Sequence, residues 1–207
     1  MSKILLVEDN PQYQDVAQRY LASRGNVITL AKDYSEAIDK LKNPDFNGVI
    51  TDCFFPELTG SGNRDLGYEA IKRMLDSDSR GRKETPTARA ITKVGNLLGT
   101  EAVKHIVKNA HAEYRQEVDL YWALEQAIKE DETKQPLGIL IAERSEGLGL
   151  PFILATSTYH HDELTQPVQD YVSRKGWKLV DCGPNSENEK ETPQFWERAF
   201  GELERKL

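Results

Sequence analysis

Lys3-Ile4-Leu5-Leu6-Val7-Glu8-Asp9-Asn10-Pro11 opens the chain with a short apolar run that ends in two acids, a capping residue and a proline. An unbroken apolar run, rather than an alternating one, is the pattern of a strand covered on both faces. Asn10 and Pro11 suit an N-cap and a first helical turn. Tyr13, Val16, Ala17, Tyr20 and Leu21 then keep helical spacing as far as Gly25, a good stop. Working outward, Val27 to Ala31 reads as a second strand, and a helix from about Ser35 carries Ala37, Ile38 and Leu41. Gly48-Val49-Ile50-Thr51-Asp52 reads as a third strand, ending in a carboxylate.

The same rhythm returns near the other end. Leu137 to Ala142 reads as a helix broken at Gly147-Leu148-Gly149, and Pro151 to Thr156 as a strand. Asp162 to Lys175 reads as a helix, Trp177 to Cys182 as a fifth strand, and Thr192-Pro193 as the cap of a terminal helix through Phe195, Trp196, Ala199, Phe200 and Leu203. Strands alternating with helices through short loops imply a parallel sheet covered on both faces.

Between Ser61 and Gln135 the rhythm is purely helical. Two shorter helices are expected near Leu66–Leu75 and Thr87–Leu98, with a polar loop over Ser77–Glu84 between them. Val103, Val107, Ala110, Tyr114, Val118, Tyr121, Leu124 and Ile128 advance by threes and fours, as on one long amphipathic helix over about Thr100–Lys129. At 1.5 Å per residue that helix would span on the order of 45 Å. Such a stripe needs the shorter helices, a second copy or a partner to cover it.

A formal charge of −7 argues against a general nucleic-acid binder. Cys53 and Cys182 have no partners at metal-ligand spacing and read as free thiols of a reducing cytoplasm. No segment approaches the length of a membrane span, and the first apolar run is too short for a signal peptide. A cytoplasmic protein without a membrane segment is the expectation.

In a doubly wound sheet, ligands bind beyond the carboxyl ends of the strands where strand order reverses. Glu8 and Asp9 end the first strand and Asp52 ends the third, so neighbouring strands would bring three acids together. Their mutual repulsion calls for a hard divalent cation, and Mg²⁺ suits carboxylates completed by water and phosphate oxygens. A carboxylate beside such an ion can act as a nucleophile toward phosphorus.

Lys3 to Asn10 resembles the opening of a response-regulator receiver domain, with its metal-binding acid pair. Asp52-Cys53-Phe54-Phe55-Pro56-Glu57-Leu58-Thr59-Gly60 resembles the phosphoacceptor strand and the loop after it, where Asp, Pro and Gly recur at this spacing. Pro151 to Thr156 is similar to the family's fourth strand, which puts Thr156 where a hydroxyl contacts the phosphoryl group. The resemblance covers residues 1–60 and 136–207, leaving 61–135 as a helical insertion. It implies a flavodoxin-like, doubly wound α/β fold with a five-stranded parallel sheet in the order 2-1-3-4-5. It further implies Mg²⁺ on Glu8, Asp9 and Asp52, phosphoryl transfer to Asp52, and a histidine kinase or phosphotransfer protein upstream. No output domain is expected after the fifth strand and its helix. Output would then pass through protein contacts, by a partner or by self-association through the 61–135 insertion.

The sequence departs from the family at three places. The fifth strand of a receiver ends in Lys-Pro, whose Lys pairs with the phosphoryl group; here Gly183-Pro184 stands there, so the pocket is expected to lack its cation and Asp52 to be phosphorylated slowly or not at all. The aromatic switch position falls on Val180, and the insertion enters directly after the phosphoacceptor loop. A degenerate receiver acting as a binding module is the alternative these departures favour. A metal-dependent aspartyl phosphatase would need a second acid two residues after Asp52, where Phe54 stands, so a non-enzymatic protein is expected. His105 and Lys108 faintly resemble a phosphotransfer His-x-x-Lys, although Asn109 follows where that motif has Gly. His160-His161 read as a loop pair, and Trp122 and Trp196 as packing residues.

Overall fold

The computed structural model describes residues 1–42, 44–77, 112–184, 186 and 188–207, and over 112–120 only the helical course of the chain. Five strands form one parallel sheet: β1 (Lys3–Val7), β2 (Val27–Ala31), β3 (Gly48–Thr51), β4 (Phe152–Ala155) and β5 (Leu179–Val180), in the order β2-β1-β3-β4-β5. A parallel sheet covered on both faces is as the alternation of elements implies, and the flavodoxin-like order is as the resemblance implies. Ile4 to Val7 and Val49 to Ile50 are completely buried, which is why these strands read as continuous apolar runs.

The helices divide between the two faces. On one lie α1 (Pro11–Ser23) and the terminal helix α7 (Pro193–Glu204), which close over Ile4, Leu6, Ile50 and Ile153 with Phe195, Trp196 and Phe200. On the other lie α2 (Tyr34–Leu41), α5 (Gly138–Gly147) and α6 (Gln166–Arg174). Local chemistry sets their starts: the Asn10 side chain accepts the Gln12 N–H at 2.9 Å, and Asp33 accepts the Glu36 N–H at 2.9 Å.

Two helices from the 61–135 stretch join the second face. α3 (Asp65–Ser77) contributes Ala70, Ile71 and Met74, and α4 (Ala112–Glu130) contributes Tyr121, Leu124 and Ile128. These side chains share one buried cluster with Leu140, Tyr171 and the sheet residues Leu5 and Val49. Tyr121 and Leu124, for which the shorter helices, a second copy or a partner are the expected cover, are covered within this chain. The helix expected over Thr87–Leu98, the loop after Ser77, and the stripe positions Val103, Val107 and Ala110 lie outside the described residues, as do the side chains of Tyr114 and Val118. Trp122 is 61% exposed and is not a packing residue, whereas Trp196 is completely buried.

Three boundaries differ from expectation. The fifth strand is shorter, because Trp177 leaves the ladder to pack edge-on against Phe152, 5.2 Å between ring centroids, and to donate its indole N–H to Glu146 at 2.9 Å. α6 begins at Gln166 rather than Asp162, since Asp162 instead accepts the backbone N–H of Tyr159 and closes a turn ahead of Pro167. Thr192 does not cap α7 through its side chain; its hydroxyl donates to the Glu189 carbonyl at 2.6 Å.

Among the described residues no helix is long and apolar enough to cross a membrane.

Candidate functional site

The carboxyl ends of β1 and β3 are adjacent, so their terminal acids converge. The backbone N–H of Asp52 donates to the Val7 carbonyl at 2.8 Å, extending the ladder one step beyond Thr51. Glu8, Asp9 and Asp52 each offer a carboxylate oxygen, and all three oxygens lie within 4.8 Å of one another. They open on a cavity of about 230 Å³ that is also lined by Tyr13, Phe54, Thr133, Lys134, Ser157 and Thr158.

Gly138 fixes the floor of this site. Its N–H donates to the Cys53 carbonyl at 3.1 Å, and a Cβ built on it would stand 2.1 Å from the carbonyl oxygen of Asp52. Only glycine lets the start of α5 press against the backbone that carries the acid.

A cation occupies the heart of the site. Lys190 is completely buried, and its Nζ lies 2.6 Å from Glu8 Oε2 and 3.0 Å from Asp52 Oδ1, while donating to the Ala155 carbonyl at 3.2 Å. The Tyr13 and Trp196 rings stand around it, with centroids 5.2 and 5.7 Å away. The expectation that the pocket lacks a cation is overturned. The chain passes Gly183 without a side chain and turns through a short 3₁₀ segment, Glu189–Glu191, which delivers Lys190 from beyond the strand.

That segment is tied down at several points. The Gly183 N–H donates to Glu189 Oε2 at 3.1 Å, Glu189 pairs with Arg198 of α7, and the Trp196 indole N–H donates to the Lys190 carbonyl at 2.9 Å. Gly183 is thus an anchor for the turn that bears the lysine. Nothing in the polar run before Thr192 distinguishes Lys190 from an ordinary surface lysine. The only signal was indirect: three converging acids need positive charge from somewhere.

The charges are unevenly balanced. Burial pushes the Glu8 carboxyl up to about 8, with Lys190 opposing the rise and Asp52 adding to it. Burial likewise pushes Asp9 up to about 7, with the charge of Asp52 adding to it. Burial works against the Lys190 charge, but Asp52 and Glu8 outweigh it and hold the ammonium well above the usual lysine range. Glu8 Oε2 is buried and lacks an aligned hydrogen bond among the described residues; the Lys190 ammonium, 2.6 Å away, is its charged neighbour. One cation among three acids leaves the cluster short of positive charge.

Asp52 presents its two oxygens differently. Oδ1 accepts the Cys53 N–H at 2.7 Å and faces Lys190, whereas Oδ2 has no hydrogen bond among the described residues. Thr156 is buried, and its hydroxyl bonds to that of Thr158 at 2.9 Å, which in turn bonds to Thr165. On this loop the residues that line the cavity are Ser157 and Thr158, one and two residues further on.

The remaining candidates lie elsewhere. Cys53 and Cys182 are buried free thiols, pushed up by burial. A larger groove of about 660 Å³ runs beside β5 and α7. There the His160 backbone N–H donates to Asp181 Oδ2 at 2.9 Å, and its Nδ1 lies 2.7 Å from the same oxygen. The His160 and His161 rings meet at a tilt, 4.1 Å between centroids, and belong to no metal-ligand cluster among the described residues. His105 and Lys108 lie outside the described residues.

Parallel strands ordered 2-1-3-4-5, with helices on both faces and an acidic crevice at the carboxyl ends, decide the architecture. The fold is flavodoxin-like. No family model matches the sequence, and no curated protein matches it. Among solved structures, the chain is similar to a bacteriophytochrome response regulator at 15% identity and a TM-score of 0.42, over 99% of this chain and 93% of that one. At that level the likeness assigns no residue a role, and any role in this fold rests on its own geometry.

Proposed function

We propose that this chain is a receiver-type signalling protein whose Asp52 accepts a phosphoryl group with the help of Mg²⁺ and Lys190. The observation that carries the reading is the Lys190 ammonium, 3.0 Å from Asp52 Oδ1 and 2.6 Å from Glu8 in a crevice of three acids. A completely buried lysine held on two carboxylates has a large desolvation cost, which a merely structural surface would avoid.

The donor set suits Mg²⁺. Glu8, Asp9 and Asp52 supply hard oxygens within reach of one ion, and the single Lys190 ammonium is shared between Glu8 and Asp52. Bound there, the ion would neutralise charge on the incoming phosphoryl oxygens. The protein's own part follows from Asp52. Oδ1 is held by the Cys53 N–H and Lys190, which leaves Oδ2 as the attacking oxygen. A bond forms from Oδ2 to phosphorus, the bond to the donor's leaving atom breaks, and the leaving atom takes a proton from solvent. Lys190 then faces the new acyl phosphate, with the Ser157 or Thr158 hydroxyl as a further donor.

The phosphoryl donor in this reading is the phosphohistidine of a histidine kinase or phosphotransfer protein. The regulatory output passes through protein contacts of the 61–135 insertion, where α4 leaves Trp122 61% exposed. The receiver body would be 1–60 with 136–207. Phe54, apolar and lining the cavity, puts no acid or base where an aspartyl phosphatase would need one.

Intact-mass spectrometry after incubation with a small acyl phosphate tests the reading. The wild type should gain one phosphoryl group with Mg²⁺ and none with EDTA, and Asp52→Asn should gain none. A wild type that stays unmodified with Mg²⁺ contradicts it.

A further inference from the structure

The 61–135 segment re-enters the receiver body through a short 3₁₀ turn, Glu132–Lys134, and that turn is fastened on both sides. Both carboxylate oxygens of Glu132 accept backbone N–H groups of the loop after β3, from Gly60 at 2.9 Å and from Gly62. Gln135 is completely buried. Its Oε1 accepts the Gly67 N–H at 3.0 Å, its Nε2 donates to the carbonyls of Asn63 and Glu132, and its own carbonyl accepts the Phe55 N–H at 3.2 Å. A Cβ on Gly67 would come within 2.8 Å of that amide, so the packing is close.

Between those two anchors stand Thr133 and Lys134, and both line the acidic cavity. The Thr133 hydroxyl is already bound to Asp131 Oδ1 at 2.8 Å. Lys134 has no ion pair among the described residues, and its side chain is exposed at the rim of the cavity. It is a cation at the mouth of the pocket whose charge acts on Asp9 and Asp131 but which is held in no ion pair among the described residues.

Charge counting gives it a use. Phosphorylation exchanges the single charge of Asp52 for the double charge of a phosphoryl group. Glu8, Asp9 and that group then outweigh Lys190 and one divalent ion by a single negative charge. Resting on the phosphoacceptor reading, we propose that Lys134 is a second phosphoryl-binding residue, delivered by the insertion, which draws the phosphodonor to the pocket mouth and pairs with the phosphoryl oxygens opposite Lys190. The insertion thereby completes the pocket it borders.

Lys134→Gln and Lys134→Arg, with the exposed Lys129→Gln as a control, are compared for the rate of Mg²⁺-dependent labelling by acetyl phosphate and for retention of beryllofluoride, which needs no turnover. Loss of a charge-assisted contact should slow Lys134→Gln and weaken beryllofluoride binding by about tenfold. Lys134→Arg should keep most of both, and Lys129→Gln should match the wild type. The thermal shift caused by Mg²⁺ alone should survive in every variant, which separates phosphoryl binding from metal binding and from misfolding. A wild type that is never labelled sinks the phosphoacceptor reading and this inference with it. A labelled wild type with an equally fast, equally tight Lys134→Gln overturns this inference alone.

Discussion

Lys190 Nζ and Asp52 Oδ1 stand 3.0 Å apart, although the position where a receiver strand would carry its lysine is Gly183. The Gly183 amide holds Glu189, Glu189 positions the 3₁₀ turn, and the turn returns an ammonium to the pocket along a different path. A site that reads as stripped of its cation is in fact supplied with one that is completely buried.

Lys190→Met separates the two tasks of that ammonium. Removing one partner of a buried ionic cluster costs about 3 kcal/mol or more when the others stay charged. The urea midpoint without metal should fall accordingly. Mg²⁺ affinity should rise, because the competing ammonium has left Glu8 and Asp52, while labelling of Asp52 should slow by at least about tenfold. Isothermal titration and intact-mass time courses read the two effects. Gly183→Lys should add nothing to the wild type, since the pocket already holds its lysine.

Metal binding should be linked to protons. Glu8 is pushed up from 4.5 to about 8 and Asp9 from 3.8 to about 7, so at intermediate pH the folded chain holds protons that the unfolded chain has released. The stability from these two groups is therefore fully present at low pH and is lost as pH rises through about 7 and 8. Without metal, the urea midpoint should carry a falling contribution across that window. Mg²⁺, which needs the ionised acids, should flatten the fall and bind more tightly at the higher pH. Equal Mg²⁺ affinity below and above the window would count against the site.

Gly138→Ala should be costly although the position is buried and helical. Its methyl group would stand 2.1 Å from the Asp52 carbonyl oxygen, and overpacking of this kind costs on the order of 1–3 kcal/mol. A lower melting temperature, together with a smaller Mg²⁺ shift, is the expected result. An unchanged melt would mean that α5 can retreat from Asp52 freely.

How legible all this is in the sequence depends on how local the cause is. The sheet can be read from Ile4 to Val7 and Val49 to Ile50, because burial on both faces leaves an unbroken apolar run. Glu8, Asp9 and Asp52 can be read because each ends a strand, and strand ends follow from the same runs. Lys190 cannot be read, since its burial depends on ties from Gly183, Arg198 and Trp196 that are set only by the folded chain. Lys134 is hidden for the same reason, lying in a turn whose direction is fixed by Glu132 and Gln135 contacts to a loop far back in the sequence. Likewise, the stripe of α4 shows that Tyr121 and Leu124 need cover, but not that α3, α6 and the sheet's core provide it.

Stability in Mg²⁺ tests the acids as a unit. Binding to the folded state alone stabilises by RT ln(1 + [L]/Kd), on the order of 1–3 kcal/mol when the ion is well above Kd. Thermal melts of the wild type should shift upward with Mg²⁺, and Asp52→Asn should lose most of that shift. A variant that gains as much as the wild type would place the ion elsewhere.

The most direct test is chemical mapping of the acceptor. An acyl phosphate is reduced by borohydride, so an aspartate that carried the phosphoryl group is converted to homoserine. The protein, treated with Mg²⁺ and acetyl phosphate, is reduced, digested and sequenced by mass spectrometry. Homoserine at position 52 and no other acid, abolished by EDTA, is the predicted result. A phosphorylated chain with an intact Asp52, or no reducible phosphate under conditions where the protein is folded and Mg²⁺ is bound, would contradict it.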